Sequence, residues 1–307
     1  MTQSTTTLAC FRANEVKALK AWLPMKMESS AGYFHYHIVE DSGSRKIALP
    51  IIAEYIRRAH QDAINEFKRP FENKLDPRNK AHDSYTKALA FYPRYCEKIT
   101  LQGFFGEILA GLLIELYDPH TLEWGVPKFN FSAHDLMFQE LLTAAATGRD
   151  PRRALGHFGD DCLAFTLDEA RSRIDRILVC EAKCTLGHSS SLIIEAHVKI
   201  NDQPIEVTTM WLHKIIESIR KRSDTHSNKW VFLLEEFKDS DRFIEASRDD
   251  LVSYTHGHMR ANGSSKPWIS SNKRSPNYTS NRDLACLEVH IGDISELITK
   301  VYELAFP

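Results

Sequence analysis

Apolar residues recur along this chain at two spacings, and the spacing names the element. Leu101, Phe104, Phe105, Ile108, Leu109, Leu112, Leu113 and Leu116 follow one another at three- and four-residue intervals, and Pro119 stands just beyond, so Leu101–Tyr117 is predicted as a helix. A similar period over 51–67 predicts a second helix, and Val207, Met210, Trp211, Ile215, Ser218 and Ile219 line one side of a third over 206–222. Shorter runs rich in Ile, Val, Leu and aromatic residues predict strands at Tyr33–Val39, Cys162–Phe165, Ile174–Lys183, Trp230–Leu234 and Leu284–His290. Residues 192–200 fit strand or helix equally, and a terminal helix is expected after Asp293, which is placed as its cap with Glu296 three residues on.

These elements imply an α/β protein with a mixed central sheet, on which the Leu101–Tyr117 helix packs. Residues 1–97 read as an N-terminal mixed lobe, 98–237 as the core, and 238–307 as an extension with a polar loop, a strand and the last helix. Within it, Leu251–Asp283 is rich in Ser and Asn and is expected to be a long loop. Residues 68–94 carry three prolines and Lys68, Arg69, Lys74, Arg78 and Lys80, which is the pattern of a solvated connector. A short helix is expected around Leu136–Ala146.

Charge and cysteine usage narrow the class. With 39 Lys and Arg against 41 Asp and Glu, the net charge of −2 provides no global attraction to nucleic acid, so any such contact must come from local basic clusters. Two stand out: Arg149, Arg152 and Arg153 in a turn, and Arg220, Lys221 and Arg222 at a helix end. The six cysteines form no C-x-x-C pair, and the N-terminus lacks the basic and apolar regions of a signal peptide. The most apolar stretch, Phe104–Tyr117, falls short of the ~20 residues that span a bilayer. A reducing, cytoplasmic, membrane-free location is expected. His256-x-His258 lacks the accompanying ligand spacing of a transition-metal site.

The chemistry concentrates in Gly159–Thr185. A strand over 174–183 puts Glu181 and Lys183 on one face and Ala182 on the other, and a hairpin with Cys162–Phe165 brings Asp161 beside Glu181. Two carboxylates with open positions suit a hard divalent cation, and an adjacent lysine suits phosphodiester hydrolysis. Glu107, on the helix before, lies at the border of an apolar face and reads either as solvent-directed or as part of a metal shell.

Asp161 followed by Glu181-x-Lys183, with Gly106-Glu107 on the preceding helix, resembles the PD-(D/E)xK nuclease signature. The segments GFFGEILAGLL, GHFGDDCLAF and VCEAKCT look most like the nuclease subunits of Hachiman anti-phage systems (HamA-like). The resemblance implies a restriction-endonuclease-like core and a DNA nuclease dependent on Mg2+ or Mn2+. Asp161, Glu181 and the Ala182 carbonyl would then hold the ion, with Asp160 as the neighbouring acid, Lys183 at the water and Glu107 in support. It also implies a separate helicase subunit (HamB-like), in keeping with the absence of a G-x-x-x-x-G-K-[ST] phosphate loop here. A stand-alone restriction or repair nuclease and a catalytically inactive DNA-binding or regulatory subunit are the alternative readings.

Overall fold

The computed structural model describes residues 11–72, 92–93, 96–127, 129, 143, 147, 162–168, 173–202, 209–222, 225–239, 247–258 and 266–307. One six-stranded mixed sheet, in the order β1-β2-β6-β5-β4-β3, organises them. Its strands are β1 (Met25–Ser30), β2 (Tyr33–Val39), β3 (Cys162–Asp168), β4 (Arg173–Thr185), β5 (Ser247–His256) and β6 (Leu284–His290). The sheet draws on all three stretches set apart in the sequence. β2, β6, β5 and β4 run parallel, whereas β1 and β3 are antiparallel additions at the two sides.

Seven α-helices are described: α1 (Ala13–Trp22), α2 (Arg45–Glu72), α3 (Lys98–Tyr117), α4 (Ser190–Asp202), α5 (Thr209–Ile219), α6 (Thr225–Asp239) and α7 (Ile294–Ala305). They make two layers because the strands bury apolar residues on both faces. On one face Tyr36, Leu178, Cys180, Leu251 and Leu287 meet α1, α2, α3 and α7. On the other, Phe165, Ile177, Val179, Val252 and Leu284 meet α4, α5 and α6. β1, with Lys26 and Glu28 exposed, is a charged edge strand that discourages further pairing.

Several expectations change here. Trp230–Leu234 is not a strand but part of α6: Trp230, Leu233, Leu234 and Phe237 are buried at helical spacing while Phe232 is 63% exposed. The expected loop 251–283 begins with the buried half of β5, whose Ser253, Thr255 and His256 disguised a strand as polar sequence. Its acidic start is tolerated because Asp249 pairs with Arg176, and Asp250 with Arg248 and Arg282. Asp293 occupies the position before α7 with φ 47°, but its side chain makes no capping bond. Residues 192–200 belong to a helix, α4, and 68–72 extend α2 instead of beginning the connector.

α3 covers 20 residues and is apolar enough by length and composition to cross a membrane, more than the fourteen residues counted from sequence. Its residues Phe104–Leu116 are all buried inside the fold, Glu107 and Glu115 included. The expected helix at 136–146 lies outside the described residues apart from Thr143, which is helical.

Candidate active site at the end of β4

β4 is the longest of the described strands. Cys162, the first described residue of β3, stands opposite Cys180, and Glu181–Thr185, which include the Glu-x-Lys sequence, pair with β5. This is the carboxyl end of the parallel strands, where open α/β sheets place their ligands.

The strand alternation holds as expected. Glu181 and Lys183 point toward α4, while Ala182 and Cys184 pack into the core on the α3 side. Glu181 is 0% exposed. Lys183 Nζ lies 3.2 Å from its Oε1 and Lys199 Nζ, from α4, 2.6 Å from its Oε2, yet neither oxygen receives an aligned hydrogen bond. Lys183 also donates to Glu195 Oε1 at 2.6 Å. Burial works to lower the Lys183 pKa, but the Glu195 hydrogen bond and the Glu181 charge outweigh it and hold the ammonium above its ordinary value.

Glu107 reaches this region from the other side of the sheet. α3 lies so close to β4 that a Cβ on Gly106 would stand 2.6 Å from Cys184 Cβ, and Gln102 Nε2 donates to Cys184 O at 2.6 Å. Glu107 is buried, not solvent-directed. Its charge, after burial itself, adds to the raised pKa values of Tyr92 and Tyr302. Thus α3, which carries Glu107, packs on one face of β4 while the Glu181 side chain points to the other, toward α4.

Beside Lys183, the same face continues into a polar row. Tyr254 is the β5 neighbour of Lys183, and its hydroxyl accepts from Ser189 N at 2.8 Å and meets His188 Nδ1 at 3.1 Å. His188 in turn stacks on Trp268 with ring centroids 3.6 Å apart. One strand further, Glu288 accepts from Trp268 N and Ile269 N, both at 2.7 Å. Burial would raise the Glu288 pKa, but the imidazoles of His256 and His35 together with those amides hold it down to about 2. His256 is thus buried against Glu288, while His258 is exposed.

Among the described residues no three His, Cys, Asp or Glu side chains form a metal-binding group. Asp160 and Asp161, the remaining acids expected there, lie outside the described residues, as do Arg149, Arg152 and Arg153. What is described includes a buried carboxylate, Glu181, with an ammonium against each oxygen; a carboxylate is the kind of donor that a hard cation takes. In the second basic cluster Arg220 is engaged by Glu217 and Glu235, Lys221 is exposed and Arg222 half-buried. Sequence reasoning passed over Glu195 and Lys199. Their only signal was the i, i+4 spacing, legible once 190–202 is known to be helical.

Compared with protein-family models and with curated proteins, the chain matches none.

Proposed function

We propose that this chain is a divalent-cation-dependent nuclease of the PD-(D/E)xK kind, acting on DNA at the carboxyl end of β4. The observation that carries the reading is Glu181: fully buried, without an aligned hydrogen-bond donor, and sharing its face with Lys183. Burying this carboxylate with its two lysines adds little to stability, and such charged clusters gather at functional sites.

In this reading Glu181, the Ala182 carbonyl and Asp161 hold Mg2+ or Mn2+, with Asp160 as the adjacent acid. When bound, the ion supplies a Lewis acid for the phosphoryl oxygen and a water of lowered pKa. Lys183, whose ammonium is favoured by the Glu195 hydrogen bond and the Glu181 charge, would donate to the attacking water or to the charge developing on the phosphate. Glu195 fixes the direction of that ammonium. Glu107 supports the ion from the α3 side, at a height set by the Gly106–Cys184 approach.

The resemblance adds that the nuclease works with a helicase subunit in anti-phage defence. A partner with its own grip on DNA would compensate for the net charge of −2 and for the engaged Arg220. The inactive-subunit reading has one observation in its favour: the charge of Glu181 is already answered by Lys183 and Lys199. Cleavage assays on wild type and on Lys183→Ala separate the two. Cleavage by the wild type and its loss in the variant, with Mn2+ still bound, supports the nuclease; no divalent-dependent cleavage by the wild type, alone or with a helicase partner, supports the silent subunit.

A further inference from the structure

Both oxygens of Glu181 face ammonium groups. Lys183 contacts Glu181 and Glu195. Lys199 reaches across from α4, one helical turn after Glu195, and makes the shorter contact, 2.6 Å to Oε2. A divalent ion bonds a carboxylate oxygen at ~2.1 Å, so an ammonium at this distance stands in the space such an ion needs. Lys199 is also the more exposed of the two, at 29% against 19%, and its four-carbon stem can swing toward solvent.

We propose that Lys199 is a built-in counter-cation: it neutralises Glu181 in the metal-free chain, leaves when a divalent ion binds there, and then pairs with a phosphate of the nucleic acid. This rests on the nuclease reading above. Its consequence is a coupling between metal entry and substrate capture. The ammonium that must be displaced becomes available beside the substrate only after the site is charged, so the metal-free chain holds nucleic acid more weakly. Glu195 keeps Lys183 in place during the exchange, which leaves one lysine on Glu181 and the other on the phosphate.

The test is Mn2+ binding by isothermal calorimetry on the full chain without nucleic acid, comparing wild type, Lys199→Gln, Lys199→Arg and Glu181→Gln. Removing one positive charge this close to a divalent ion should tighten Mn2+ binding by ~10-fold or more in Lys199→Gln, while Lys199→Arg stays near wild type. Lys199→Met, whose stem packs as lysine does, repeats the comparison if Lys199→Gln fails to fold. With Mn2+ saturating, Lys199→Gln should bind a short DNA duplex more weakly than wild type, by fluorescence anisotropy. Unchanged Mn2+ affinity in Lys199→Gln, alongside loss of binding in Glu181→Gln, overturns the role of Lys199 and leaves the metal site standing. Absence of Mn2+ binding in every variant overturns the metal site and this inference with it.

Discussion

Replacing Gly106 by alanine tests how the catalytic strand is held, because two known effects pull its stability in opposite directions. Alanine in a helix interior is favoured over glycine by roughly 1 kcal/mol. The new Cβ, however, would stand 2.6 Å from Cys184 Cβ, where carbon atoms prefer ~3.5–4.0 Å, so α3 and β4 must part by about 1 Å. Overpacking of this kind costs typically 1–3 kcal/mol, and the atom being struck is a Cβ anchored to the strand, not the far end of a flexible side chain. The net expectation is destabilisation of about 0–2 kcal/mol, read as an unchanged or lower urea midpoint. The same displacement stretches the 2.6 Å Gln102–Cys184 hydrogen bond and lifts Glu107 away from the strand end, so cleavage should fall as well. Cys184→Gly removes the opposing Cβ, and in that background Gly106→Ala should turn stabilising by roughly 1 kcal/mol. If Gly106→Ala is more stable than wild type, or has the same effect in both backgrounds, the close approach of α3 to β4 is refuted.

Two further outcomes are expected. Trp230→Ala should cost about 3–5 kcal/mol in urea denaturation and Phe232→Ser almost nothing, because α6 turns these residues to opposite sides; equal costs would favour a strand, where both share a face. Burial pushes the His60 pKa down to about 3, from ~6.5 unfolded, so neutral His60 contributes stability that is complete above pH 6.5 and is lost as pH falls toward 3. Wild type should therefore lose about 2 kcal/mol more than His60→Gln between pH 7 and pH 5 in urea midpoint experiments, and parallel curves would contradict it.

What could be read from sequence follows from how each residue is buried. β2, β3, β4 and β6 carry apolar or aromatic residues on both faces, so they stood out as short runs. β5 did not, because its burial includes Asp249, Asp250, Ser253 and Thr255, whose acids depend on arginines distant in sequence. The period of α6 was hidden in five consecutive apolar residues, which fit both elements over so short a length. α1 and the exposed edge strand β1 were not anticipated, for β1 buries too little to leave a pattern. At the site, strand alternation alone placed Glu181 and Lys183 together, since it is a local property. Glu107 was ambiguous because α3 is buried on every side and has no polar face to compare with. Lys199 depends on how α4 docks over β4, which no local pattern encodes.

The central claim is tested most directly by divalent-dependent cleavage of DNA by the purified chain, supplied with a helicase partner where one is needed. Wild type, Glu181→Gln and Lys183→Ala are compared in Mg2+ and in Mn2+, each checked for folding by thermal denaturation. The account predicts that wild type cuts and that chelation stops it. Glu181→Gln should lose both cleavage and metal affinity, whereas Lys183→Ala should lose cleavage while still binding Mn2+. Cleavage at the wild-type rate by folded Glu181→Gln or Lys183→Ala would contradict it.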